Sequence, residues 1–76
     1  MIRILVPDLG DGITKVEIAS WHVSEGSLVK EGDDVVELVT DKAAFYVASP
    51  ASGILRKIHC SPGQEVAVGG LLGEIE

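Results

Sequence analysis

Asp34-Val-Val-Glu-Leu-Val-Thr-Asp-Lys-Ala-Ala-Phe-Tyr-Val-Ala48 holds two runs of strand-forming residues with Thr40-Asp-Lys-Ala43 between them. Valine, phenylalanine and tyrosine favour the pleated, half-buried surface of a sheet. The interval is turn-sized, so the stretch predicts a tight hairpin with arms Val35–Thr40 and Ala43–Ala48. Lys42 then sits at its tip, an amine held out into water on a rigid mount. Such a mount suits an enzyme that must modify one lysine among several. It equally suits a partner that must receive what the lysine carries.

The rest of the chain continues in the same style. No stretch keeps a 3.6-residue apolar period, and short Val- and Ile-rich runs are broken by glycines and by Pro7, Pro50 and Pro62. That pattern predicts an all-β fold with tight turns. The strands expected beside the hairpin are Ile2–Val6, Lys15–His22, Leu28–Val29, Gly53–His59, Glu65–Val66 and Leu71–Glu76. With 76 residues the chain can form one small domain around one core, built from aliphatic side chains because only 4% of residues are aromatic.

The chain also repeats. When His22 is laid on His59, Ser24 falls on Ser61, Gly26 on Gly63, Val29 on Val66, Gly32 on Gly69 and Glu37 on Glu74. Trp21/Ile58, Val35/Leu72 and Leu38/Ile75 are apolar pairs in the same frame. Neither half could bury an apolar face alone. The repeat predicts two similar antiparallel sheets packed face to face about a pseudo-twofold axis. Lys42 lies at the handover between the halves, and nothing duplicates it.

Composition excludes several functions. A net charge of −6 argues against nucleic acid and against anionic membranes, since binders of phosphate carry basic patches. A single cysteine, Cys60, rules out an intrachain disulfide. The N-terminal apolar run Ile4-Leu-Val6 is too short for a signal or membrane segment. A cytosolic setting is expected, or a mitochondrial matrix if this is a mature organelle protein.

Whole-chain motifs resemble the lipoyl domain of 2-oxo acid dehydrogenase acyltransferases, the E2 components, within the biotinyl/lipoyl attachment family. The resemblance rests on Pro7-Asp-Leu-Gly-Asp-Gly12, on Ile18, Trp21, Val23 and Glu25-Gly26, on Val29-Lys-Glu-Gly-Asp33, and on Thr40-Asp-Lys-Ala43. Ser49-Pro50, Gly53, Gly63 and Val68-Gly69 match the return half. It implies the hammerhead fold, a flattened barrel or sandwich of two four-stranded sheets. It implies lipoic acid joined by an amide to Lys42, with Thr40, Asp41 and Ala43 assisting recognition. It also implies that the opening loop, with Asp8, Leu9 and Asp11, lies beside the hairpin and helps a partner recognise the domain.

The implied partners are E1, a thiamine diphosphate-dependent 2-oxo acid dehydrogenase; the E2 catalytic domain, which passes the acyl group to coenzyme A; E3, the dihydrolipoyl dehydrogenase; and a lipoate–protein ligase or lipoyl transferase. The domain itself is expected to be a monomeric, non-catalytic carrier excised from the N-terminal part of a longer E2. Val39 and Tyr46 depart from the family pattern, being less polar than expected, and one of them is expected at the partner-facing end.

Other readings compete. A biotin carrier shares the fold, but normally has methionine on both sides of its lysine, and the only methionine here is Met1. A glycine-cleavage H protein is longer. An unmodified hammerhead adaptor would make Asp-Lys-Ala a coincidence. His59 and Cys60 invite a nucleophilic reading, but neighbours on a strand point to opposite faces. His22, His59 and Cys60 are therefore expected to be scaffold, with neither a catalytic nor a metal site, and Trp21 to be an anchor at the edge of the core. Asp41 is expected to bond the turn backbone through its short side chain.

Overall fold

The computed structural model describes residues 1–10 and 12–76. The described residues form eight strands: β1 (Ile2–Leu5), β2 (Lys15–Trp21), β3 (Leu28–Val29), β4 (Asp34–Val39), β5 (Ala44–Ala48), β6 (Gly53–Ile58), β7 (Glu65–Ala67) and β8 (Leu71–Ile75). Every predicted strand is present, and no end differs by more than a residue. Two antiparallel sheets result, ordered β1-β8-β6-β3 and β5-β4-β2-β7.

The internal repeat maps one sheet onto the other. β2, β4 and β5 stand in one where β6, β8 and β1 stand in the other. The short strands behave differently: β3 follows β2 in the chain but pairs with β6, and β7 follows β6 but pairs with β2. Each half thus lends its short strand to the other half's sheet. The backbone hydrogen bonds that secure the exchange are themselves duplicated. Gly26 N–H donates to the Leu55 carbonyl at 2.7 Å, and Gly63 N–H donates to the Ile18 carbonyl at 2.8 Å. Leu55 N–H donates to Ser27, and Ile18 N–H to Gln64, each at 2.9 Å. Gly26 and Gly63 adopt φ of 89° and 87°, a conformation that side chains with a Cβ resist.

Irregularities repeat too. Register shifts fall between Ile18 and Ser20 and, in the other sheet, between Leu55 and Lys57. Bulges bend a strand and increase its twist, so matched bulges let the two sheets curl around a shared interior. That interior is aliphatic: Ile4, Ile18, Val35, Val36, Leu38, Leu55, Leu72 and Ile75 have almost no exposed surface. No aromatic side chain is fully buried among the described residues.

The symmetry is broken where side-chain volume demands it. Trp21 and Ile58 are repeat mates, as are Val36 and Gly73. The large Trp21 ring lies over Gly73: a Cβ on Gly73 would stand 3.2 Å from Trp21 Cη2 and 2.7 Å from the Lys57 carbonyl oxygen. Trp21 also donates its indole N–H to the Cys60 carbonyl at 2.7 Å, satisfying the one polar atom of a half-buried ring. It is the core-edge anchor that the sequence predicts.

The closed packing at Gly73 has a measurable consequence. Gly73→Ala is expected to cost about 1–3 kcal/mol through overpacking. Urea denaturation should show a lower midpoint with an unchanged slope.

Candidate functional site

β4 and β5 pair from Asp34–Ala48 to Val39–Ala44, with a register shift between Asp34 and Val36 and an unbroken ladder from Val36–Val47 onward, and the chain reverses at Thr40–Ala43. The turn is closed by one side chain. Thr40 N–H donates to the Ala43 carbonyl at 2.9 Å. The Thr40 hydroxyl donates to the same carbonyl at 3.2 Å and accepts from the amides of Lys42 at 3.3 Å and Ala43 at 3.2 Å. One donor and two acceptor sites are the full capacity of a hydroxyl. This corrects the expectation for Asp41: its carboxylate makes no hydrogen bond among the described residues, and Thr40, one position earlier, organises the turn. Asp41, Lys42 and Ala43 are exposed.

Lys42 has no ion-pair partner among the described residues. Its amine is therefore available, and the turn below it is ordered by bonds that do not involve its side chain. Beside it lies an open groove of about 520 Å³, formed by the hairpin, Gly12–Glu17 and Glu65. Val39, Phe45 and Ile13 supply its apolar lining. At its rim Lys15 Nζ approaches Glu65 Oε1 at 3.3 Å. Both groups are well exposed, so the pair contributes little to stability. Glu17 stands directly across from Glu65 in the ladder, and such like-charge pairing is unfavourable. With Asp41, these carboxylates give the lysine end of the molecule an acidic margin.

The opening loop divides into two parts. Gly12, Ile13 and Thr14 line the groove beside Lys42, as expected for a loop flanking the hairpin. Asp8 and Leu9 do not line it. Asp8 instead accepts a hydrogen bond from Gly10 N–H at 2.9 Å, a local loop contact, and Leu9 packs partly against the core. Asp11 lies outside the described residues. Neither Ile13 nor Phe45 is marked by the sequence motifs: Phe45 is visible as an apolar residue of the second hairpin arm, whereas Ile13, in the opening loop, reaches the site only through the fold. Of the two departures from the family pattern, Val39 borders the groove, whereas Tyr46 does not. The Tyr46 ring lies 5.6 Å from that of His22, and its side chain borders a separate crevice between β1 and β5.

The histidines and the cysteine form no nucleophilic pair. Cys60 is buried, and its thiol donates to the Leu71 carbonyl at 3.2 Å. Burial pushes the thiol above its ordinary pKa, which opposes thiolate formation. The His59 ring faces Glu74, with Nε2 3.8 Å from the carboxylate. The backbone amides of His22 and His59 make equivalent bonds, to Val35 and Leu72.

The exposed lysine thus stands on a hairpin at the end of one of two sheets that exchange their short strands. The family model described as "Biotin-requiring enzyme" matches residues 2–75. The chain belongs to the biotin/lipoyl attachment family, as a lipoyl domain. Its fold superimposes on the solution structure of the lipoyl domain of the 2-oxoglutarate dehydrogenase complex from Azotobacter vinelandii with a TM-score of 0.80. Identity there is 32%, over all of this chain and 96% of that one. Among curated proteins it is 42% identical to the lipoamide acyltransferase component of the branched-chain alpha-keto acid dehydrogenase complex of Pseudomonas aeruginosa, over 96% of this chain and 17% of that protein. It is 39% identical to the succinyltransferase component of the 2-oxoglutarate dehydrogenase complex of Rickettsia bellii, over 97% of this chain and 18% of that protein. The lipoyl domain thus spans less than a fifth of the length of these relatives. A multi-domain long-chain acyl-CoA carboxylase shares its fold at 23% identity and a TM-score of 0.72.

The closure of the hairpin by Thr40 can be tested directly. Thr40→Val removes three hydrogen bonds while keeping the side-chain shape. Because the turn is exposed, the expected cost is modest, about 0.5–1.5 kcal/mol. Amide hydrogen exchange should quicken at Lys42 and Ala43 and stay unchanged at the core amide of Leu55.

Proposed function

We propose that Lys42 carries lipoic acid as an amide and that the domain ferries acyl groups within a 2-oxo acid dehydrogenase complex. The observation that carries this reading is the Lys42 amine, exposed, without an ion-pair partner among the described residues, at the tip of a turn that Thr40 closes from below. Attachment would need little reorganisation there, because no buried contact of the lysine has to break. When attached, the dithiolane supplies a reducible disulfide that can accept an acyl group.

The chain's own residues do the positioning. The β4–β5 ladder keeps the turn rigid, so a modifying ligase or transferase meets a fixed target. Asp41 and Ala43 leave both sides of the lysine open, one through a short acid and the other through a methyl group. Lys42, once an amide, loses its positive charge. The acidic margin of Glu17, Asp41 and Glu65 then goes less compensated, which favours basic partner surfaces and fast, salt-dependent encounters.

The partners proposed are the thiamine-dependent E1, the E2 catalytic domain and the flavoprotein E3, with a lipoate–protein ligase or lipoyl transferase acting earlier. The domain serves as a tethered carrier without catalytic groups of its own, as part of a longer E2 chain. Tethering keeps its arm at high effective concentration near each active site. Methionine does not flank Lys42, which disfavours a biotin carrier.

Incubation with a lipoate–protein ligase, lipoate and ATP is expected to add one lipoyl group to the domain, seen as a single intact-mass shift. Lys42→Ala should show no shift while keeping a native spectrum. A folded wild-type domain that gains no mass would overturn the proposal.

A further inference from the structure

We propose that the groove beside Lys42 is a resting site for the lipoyl group, so that the arm folds back onto its own domain between visits to partners. The proposal rests on the reading that Lys42 is lipoylated. Lys42 is itself part of the groove wall, and whatever its amine carries therefore begins its path at the groove's edge. Val39, Phe45 and Ile13 offer an apolar bed, and each is half-buried, leaving surface to cover. A charged ammonium loses hydration on that apolar bed, and the exposed carboxylates of Glu17, Asp41 and Glu65 hold it instead at the polar rim. Amide formation removes that charge and adds an alkyl chain and a ring of low polarity. The same bond that loads the arm changes its preference from water to the groove.

Tethering makes weak contact sufficient. A group held within reach of a site is present at roughly millimolar effective concentration or above. An affinity too weak to notice for a free ligand can then still occupy the groove. The groove at about 520 Å³ lies within the size range of small-molecule sites, roughly 300–1,000 Å³.

The arrangement couples the arm to recognition. Gly12, Ile13, Thr14 and Lys15 form one wall of the groove. A partner that binds this wall competes with the resting arm and frees it where it is needed. Away from partners, the docked ring is sheltered from thiols in solution.

The test begins with the lipoylated domain, its loading checked by intact mass. Nuclear Overhauser contacts are expected from the lipoyl chain and ring protons to the Ile13 and Val39 methyl groups and the Phe45 ring. Val39→Thr keeps the β-branched shape and strand preference but makes the bed polar. It should weaken these contacts and speed exchange of the dithiolane with added glutathione by about two-fold or more, as a fraction of the tethered ring leaves the groove. Phe45→Leu, a second variant with an apolar side chain of smaller area, should show the same direction. Absence of these contacts in a fully loaded domain, with amide shifts confined to Asp41–Ala43, overturns the resting site and leaves the carrier role standing. Failure of Lys42 to gain the lipoyl mass overturns the carrier role, and the resting site with it.

Discussion

The exchange of β3 and β7 between the sheets is the constraint on which the rest of the molecule depends. A strand of two or three residues has too few hydrogen bonds and too little apolar surface to persist alone. Each is held by pairing with a long strand from the other half, at the edge of its sheet. The halves therefore cannot fold separately. Gly26 and Gly63 make the crossing feasible, since each turns the chain at positive φ and donates its amide into the opposite sheet. With so few residues available, the domain gains cooperativity from connectivity more than from core size.

That rigidity is what the hairpin inherits. β4 lies between β5 and β2 in its sheet, and its inward side chains, Val36 and Leu38, are completely buried. A turn built on such a strand has little freedom to drift. Thr40 removes what remains. The mount is thus tied down by the ladder and by Thr40, and the Lys42 side chain extends beyond those bonds.

Much of this was legible in the sequence because its signals are local. Alternating Val and Ile with glycine at the breaks marked all eight strands, and the pairing of His22 with His59 and of Gly26 with Gly63 announced the duplication. What the sequence hid was non-local or finely balanced. A run such as Leu28–Val29 looks the same whichever sheet it joins, so the exchange was not visible. Thr40 and Asp41 are both good turn residues, and only the hairpin register decides which side chain points back at the amides. The opening loop read as one recognition element, but Asp8 bonds within the loop and Leu9 turns to the core. Only its later residues reach the lysine. The Trp21–Gly73 complement breaks the repeat, and a single chain gives no reason to connect those two positions before the sheets are stacked.

The pseudo-twofold axis carries one more implication. It maps the turn between β4 and β5 onto the interval between β8 and β1, where Ile2 pairs with Ile75 and no turn joins them. Topologically the fold is a ring of strands cut once, and the cut is the mirror of the lysine's turn in the duplicated plan. The short Ser49–Ser52 connection brings the start of β6 to the end of β5, and Gly53 there meets the Glu76 backbone. The cut therefore lies at the pole opposite Lys42. A polypeptide joined there would start from the pole opposite the arm, so its reach and the arm's would add in series instead of overlapping.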